Sequence, residues 1–72
     1  MQSRGIYDRQ GELIAYLVGS VVYDLDDIQK GYVQEGYVYA MNDEKLWLIR
    51  GDGLYTPKGE AVGYLGASFR ES

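Results

Sequence analysis

Hydrophobic and polar residues recur along this chain with a period of sixteen positions. A first aliphatic column is formed by Ile6, Val22, Val38 and Leu54, and each of these residues is followed by a tyrosine: Tyr7, Tyr23, Tyr39 and Tyr55. Ten positions beyond each tyrosine stands a second aliphatic column, formed by Leu17, Val33, Ile49 and Leu65. Units that repeat four times without insertion or deletion indicate an internal repeat, with bounds 5–20, 21–36, 37–52 and 53–68.

Each unit is predicted to form one β-hairpin, because its apolar residues alternate rather than following a helical spacing. The first turn, Asp8-Arg9-Gln10-Gly11, opens with a side-chain acceptor and ends with a residue that tolerates positive φ. This order is typical of a type I turn followed by a glycine bulge. Asp27 replaces the glycine in the second unit, which aspartate permits. Four such hairpins predict eight short strands in up-and-down order around a pseudo-fourfold axis.

The whole chain, 1–72, is expected to be a single all-β domain that ends in a C-terminal tail, 67–72, where Phe69 docks. The sheet is expected to be closed or nearly closed, because unpaired strand edges invite aggregation.

The interior is predicted from three columns of the repeat, since successive strand residues face opposite sides of a sheet. Besides the two aliphatic columns, the third consists of Ala15, Gly31, Trp47 and Gly63. Three small residues and one indole suggest crowding near the pseudo-axis, with Trp47 filling the space that the others leave. The predicted core is Ile6, Leu17, Val22, Val33, Val38, Trp47, Ile49, Leu54 and Leu65.

Replacement of Trp47 by alanine tests this assignment. Large-to-small changes in a core typically cost several kcal/mol, so Trp47→Ala is expected to lower the thermal unfolding temperature markedly. A thermal melt that shows little change would contradict the placement of Trp47 in the interior.

The eight tyrosines are the outlier in composition, and most of them fall on the faces opposite the core columns. The candidate interaction surface consists of Tyr7, Tyr16, Tyr23, Tyr32, Tyr39, Tyr55 and Tyr64. Leu48 stands where a further tyrosine is expected in the third unit, and Tyr37 is an addition. These rings have three interpretations: a cover for a thin core, a subunit interface, or a platform for a ligand.

Composition argues against several functional classes. The 72 residues include neither cysteine nor histidine, which removes disulfides, thiolate metal sites and the commonest acid–base group. Asp24, Asp26 and Asp27 lack the glycine and distal glutamate of an EF-hand loop, and turn formation explains them better. No nucleophile elbow or phosphate-binding glycine loop is present, so we expect no enzyme, no metal and no cofactor.

The charge and hydropathy patterns bear on partners and location. A net charge of −4 argues against a nucleic-acid partner, which requires a basic patch. No apolar run reaches the ~20 residues of a transmembrane segment, and no signal peptide opens the chain, so a cytoplasmic location is the default expectation. Among the usual supports of a small domain, self-association is the one that remains open.

The recurring elements resemble a known family. Ile6-Tyr7-Asp8-x-x-Gly11-Glu12-x-Ile14-Ala15-Tyr16-Leu17 returns as Val22-Tyr23-Asp24 and as Gly59-Glu60-Ala61-Val62-Gly63-Tyr64-Leu65. Over residues 5–66 this pattern resembles the 4-fold β-flower proteins, which are small, mostly bacterial and largely uncharacterised. The resemblance implies a shallow, pseudo-symmetric, barrel-like (β-flower) arrangement and transfers no catalytic residue. The third unit departs from it at Ala40, Asp43 and Leu48.

The functional hypothesis is a non-enzymatic interaction or assembly module that acts as a homo-oligomer or binds another protein through its tyrosine-rich surface. The alternative is a small-ligand or carbohydrate-binding module that uses the same rings as a platform. A third possibility is a phage-encoded inhibitor that blocks a host protein.

Overall fold

The computed structural model describes residues 2–66 and 69–70 as one antiparallel sheet. Its strands are β1 (Gln2–Asp8), β2 (Leu13–Val18), β3 (Val21–Tyr23), β4 (Gln29–Gln34), β5 (Tyr37–Ala40), β6 (Lys45–Arg50), β7 (Gly53–Tyr55), β8 (Ala61–Leu65) and β9 (Phe69–Arg70). Neighbours in sequence pair from β1 to β8, and β1 also pairs with β8. The prediction of an all-β fold of four hairpins is confirmed, and the eight strands form a closed barrel.

The hairpin turns repeat one hydrogen-bonding scheme in all four units. The N–H of Gly11 donates to the carbonyl of Asp8 at 3.0 Å, and the N–H of Asp8 donates to the carbonyl of Glu12 at 2.9 Å. The third residue after the one that opens each turn, which we call the third turn position, has positive φ in every unit: Gly11 (83°), Asp27 (63°), Asp43 (68°) and Gly59 (95°). These are the turn and bulge that the sequence predicts.

The side chain that stabilises each turn changes with the sequence. Oδ1 of Asp8 accepts hydrogen bonds from the N–H groups of Gln10 and Glu12, and Asp24 repeats this arrangement. In the third unit Ala40 offers no acceptor, and Oδ1 of Asn42 binds the N–H of Glu44 instead, at 3.2 Å. The departure of this unit from the repeat therefore leaves its turn intact, because a nearby side chain satisfies the same donor.

The core is built around the first aliphatic column. Ile6 and Leu54 are 1% exposed, and Val38 is 2% exposed. The remaining buried apolar residues are Ala15, Leu17, Val22 and Leu65. Of the nine residues predicted for the core, Val33, Trp47 and Ile49 are only half-buried and pack against its edge, together with Val62.

The small residues of the third column, Gly31 and Gly63, are required for a different reason from the one expected. A Cβ at Gly31 would collide with the carbonyl oxygen of Tyr39, and a Cβ at Gly63 would collide with that of Tyr7. These glycines therefore permit close approach of the neighbouring strand's backbone, rather than yielding space at the axis to an indole. Because Trp47 is half-buried at the edge of the cluster, the loss expected for Trp47→Ala becomes smaller than for a fully buried tryptophan.

The first strand is longer than its repeat unit. It begins at Gln2 rather than at Gly5, and its first residues continue alongside β2 through the pairs Arg4 with Leu17 and Ser3 with Val18. The segment expected to be a tail contains β9, which pairs with Gln2 and Ser3. The expected docking of the Phe69 side chain lies outside what the structure describes.

Gly63→Ala tests the close approach between β8 and β1. The new methyl would collide with the backbone of Tyr7, which cannot rotate away, so we expect a loss of roughly 1–3 kcal/mol in the free energy of unfolding. Chemical denaturation followed by tryptophan fluorescence measures it. Gly53→Ala is the matched control, because its methyl would meet only the Tyr55 ring, which is free to move. Equal losses for the two variants would contradict this account.

Candidate functional site

The predicted tyrosines form cross-strand pairs on the outer face of the barrel. Each tyrosine that follows the first aliphatic column lies opposite a residue of a neighbouring unit's return strand: Tyr23 with Tyr16, Tyr39 with Tyr32, Tyr55 with Leu48, and Tyr7 with Tyr64. We call this ring of residues, with Tyr37, the outer belt. The register thus brings all seven predicted surface tyrosines into one band around the barrel.

Two of the four pairs are stacked. The ring centroids of Tyr7 and Tyr64 are 5.3 Å apart with the planes inclined by 13°, and those of Tyr32 and Tyr39 are 5.2 Å apart at 16°. We call the place where the return strand of one unit pairs with the first strand of the next a seam. At the seams of both stacks, strand pairing continues one residue beyond the tyrosines, as Gly63 with Asp8 and as Gly31 with Ala40. Pairing stops earlier at the other two seams, beside Ala15 and Trp47. A seam is therefore tight where this repeat position is glycine, and open where the residue carries a Cβ.

Part of the tyrosine surface has a structural role. The ring of Tyr7 lies over Gly5 and Gly66, and the ring of Tyr55 lies over Gly53. An aromatic ring above a strand glycine shields backbone that has no side chain of its own. Tyr64 is the most exposed at 43%, and the other belt tyrosines are half-buried.

One belt hydroxyl has a defined electrostatic partner. The hydroxyl of Tyr32 donates a hydrogen bond to Oδ1 of Asp43 across the seam between units two and three, at 2.5 Å. This bond to the carboxylate stabilises the protonated phenol and raises the pKa of Tyr32 above its ordinary value.

In the acidic turn of the second unit, the carboxylate of Asp24 binds backbone N–H groups of the same turn. The N–H of Ile28, followed by smaller contributions from the N–H of Asp26 and from Lys30, lowers the pKa of the Asp24 carboxyl. One oxygen of Asp24 already accepts two backbone hydrogen bonds, which supports the interpretation of this aspartate as a turn residue.

Exposed aliphatic residues at the hairpin turns were missed by the sequence reasoning. Leu25 and Ile28 are each 54% exposed, and Met41 is 57% exposed. The signal in the sequence is an aliphatic residue at a turn position where polar residues are usual. Smaller contributions to the exposed apolar surface come from Ile14 (39%) and Leu46 (38%).

Neither a cluster of metal ligands nor a membrane-spanning helix occurs in the part of the chain that the structure describes. Among residues 2–66 and 69–70, no three histidine, cysteine, aspartate or glutamate side chains gather as a metal site would require. Within the same described ranges, no helix is long and apolar enough to span a membrane. The described surface presents tyrosine rings and aliphatic side chains.

Four hairpins closed into one antiparallel barrel, with a repeated tyrosine on the outer face, define the class of this protein. A family model described as 4-fold beta flower protein matches residues 4–69. The chain therefore belongs to the 4-fold beta flower protein family, and the resemblance noted in the sequence is confirmed. Neither the curated proteins nor the solved structures contain a match to this chain.

Asp43→Asn tests the hydrogen bond to Tyr32. With the carboxylate removed, the pKa of Tyr32 is expected to fall towards the ordinary value of 10.0. Because the folded-state pKa is raised, this bond stabilises the fold below pH 10.0 and its contribution is lost as the pH rises through the raised pKa. Titration of the tyrosine Cζ resonances by NMR measures the shift.

Asp27→Asn provides the matched control, because Asp27 occupies the same turn position with the same sign of φ. This change is expected to leave the pKa of Tyr32 as it is in the unmodified protein. If the pKa of Tyr32 did not change in Asp43→Asn, the hydrogen bond between the Tyr32 hydroxyl and the Asp43 carboxylate would not exist in solution.

Proposed function

We propose that this protein is a non-enzymatic interaction module that self-associates through the tyrosine-rich outer face of its barrel. The observation that carries the proposal is the exposure of large aliphatic side chains beside that face. Leu25, Ile28 and Met41 each leave more than half of their surface in water. Large apolar side chains exposed close together are characteristic of protein contact sites.

These residues belong to two neighbouring hairpins. Leu25 and Ile28 lie between β3 and β4, Met41 lies between β5 and β6, and β4 pairs with β5. The stacked rings of Tyr32 and Tyr39 occupy the seam between the two hairpins. We call these five residues the apolar patch. It combines aliphatic surface with rigid aromatic rings, the composition that favours hot spots in interfaces.

The size of the core supports a second copy of this chain as the partner. In a chain of 72 residues without cysteine, the largest side chains that are fully buried are Ile6, Leu54 and Val38. Small domains bury a low fraction of their surface and often gain stability from oligomerisation. Association through the apolar patch would add buried area where the single barrel has little.

The charges beside the patch predict how association depends on salt. Asp24, Asp26 and Asp27 flank Leu25 and Ile28, so two copies meeting through this patch would bring like charges together. Salt screens such repulsion. We therefore expect the association constant to increase with ionic strength.

Leu25→Gln combined with Ile28→Gln tests the apolar patch. Removing two exposed aliphatic side chains at turn positions is expected to weaken self-association by about tenfold or more, while the barrel stays folded. Light scattering behind size exclusion, over a concentration series, measures the mass. Circular dichroism reports whether the variant retains the sheet.

Arg9→Gln is the control, since Arg9 occupies the turn position of Leu25 in the first unit. It should leave the association constant unchanged. A mass near 8.1 kDa at every concentration and salt level would contradict self-association. That outcome would leave the outer belt available to a foreign protein or, as the alternative function, to a small ligand or carbohydrate.

A further inference from the structure

The seam between β6 and β7 contains a cleft that arises from one departure from the repeat. Leu48 stands opposite Tyr55, where the other return strands present Tyr16, Tyr32 and Tyr64. A cleft of about 360 Å³ lies at this place on the outer face. Its walls are Leu48, Arg50, Tyr55, Pro57, Lys58 and Gly59.

The cleft follows the path that a tyrosine side chain takes in the other units. The hydroxyl of Tyr32 reaches Asp43, and the hydroxyl of Tyr64 lies 3.6 Å from the position of a Cβ built on Gly11. Gly11 and Asp43 occupy the third turn position of the following hairpin, and in the fourth unit this position is Gly59. Because Leu48 and Gly59 both line the cleft, the space between them corresponds to the phenol that leucine lacks.

The remaining wall offers a surface on which a planar group would stack. Tyr55 occupies the position of Tyr39 and Tyr7, whose rings each stack on a partner tyrosine with centroids 5.2 and 5.3 Å apart. Opposite Leu48 the ring of Tyr55 has no such aromatic partner within the described part of the chain. Offset stacking of an aromatic ring on tyrosine is favourable, and Leu48 and Pro57 add apolar contacts.

Two basic residues distinguish this seam from the other three. Arg50 occupies the repeat position of Val18, Gln34 and Gly66, and Lys58 occupies that of Gln10, Asp26 and Asn42. None of the residues that line the cleft is acidic. The chain as a whole carries a net charge of −4, so a cleft lined by two cations and no carboxylate is an exception on an acidic protein.

These cations have no evident structural role. Among residues 3–66, whose side chains the structure describes, the ion pairs are Arg4 with Asp52 and Lys30 with Asp24. Neither pair includes Arg50 or Lys58. Structural arginine and lysine residues commonly bind a carboxylate of their own chain, so two cations beside an empty aromatic position point to an external anion.

We propose that the cleft binds a small aromatic anion, a planar ring that carries a carboxylate or phosphate group. The ring stacks on Tyr55 between Leu48 and the turn at Pro57, and the anionic group interacts with Arg50 and Lys58. The volume of about 360 Å³ lies at the lower end of the range for small-molecule sites, which suits a single ring with one charged substituent.

Leu48→Tyr restores the residue that the repeat has elsewhere and fills the cleft. With 4-hydroxybenzoate as the probe, binding to the unmodified protein is followed by NMR chemical shifts of Tyr55, Lys58 and Gly59. The variant is expected to lose this binding and to keep its fold, because three units already hold tyrosine at this position. Thermal melting of the variant distinguishes a filled cleft from an unfolded protein.

The charge requirement is tested separately. Arg50→Gln combined with Lys58→Gln is expected to weaken 4-hydroxybenzoate binding about tenfold, and the neutral 4-hydroxybenzyl alcohol should bind the unmodified protein about tenfold more weakly than the acid. Lys30→Gln removes a cation that is paired with Asp24, and should leave binding unchanged.

Three results would overturn the proposal. These are retained binding in Leu48→Tyr, equal affinity for the acid and the alcohol, and chemical shifts spread over the tyrosines of all four seams. The substituted residues Leu25 and Ile28 lie between β3 and β4, whereas the cleft is lined by residues of β6, β7 and the turn that follows β7, so loss of self-association in Leu25→Gln with Ile28→Gln does not affect this outcome. The two proposals therefore fail independently of each other.

Discussion

The pairing of β8 with β1 is the contact on which the rest of the structure depends, because it closes the sheet and leaves no barrel strand with a free edge. It requires Gly63, since any side chain there would collide with the backbone of Tyr7. Gly31 permits the same approach at the opposite seam, towards Tyr39. The other two seams have Ala15 and Trp47 at this position, so a fourfold sequence folds into a barrel with tight and open seams in alternation.

The alternation of seams also organises the outer belt. Where the strands approach closely, Tyr7 stacks on Tyr64 and Tyr32 stacks on Tyr39, so one face of each ring contacts its partner. Where a seam is open and leucine replaces tyrosine, at Leu48, a cleft remains beside Tyr55. Repeated residues thus maintain the fold, while residues that depart from the repeat create the surfaces on which both functional proposals rest.

The sequence predicted much of this fold, because its signals are local and occur four times. The turn at Asp8 to Gly11, the hairpins and the first aliphatic column depend on backbone conformation and on alternation along a strand. The roles of individual residues of the outer belt could not be predicted from the sequence in the same way. Nothing in the sequence around Tyr55 shows that its ring lies over Gly53, and the φ preferences of turn residues do not reveal the exposure of Leu25, Ile28 and Met41.

By itself, the sequence determined the four hairpins and the choice of Ile6, Val22, Val38 and Leu54 for the interior, since a period of sixteen fixes which residues share a face. Only the tertiary structure decided why Gly31 and Gly63 are glycines and why Trp47 lies at the edge of the core. It alone also showed that Leu48 and Gly59 line one cleft. These features depend on how closely strands from different units approach, and that distance follows from closure of the whole barrel rather than from any single repeat.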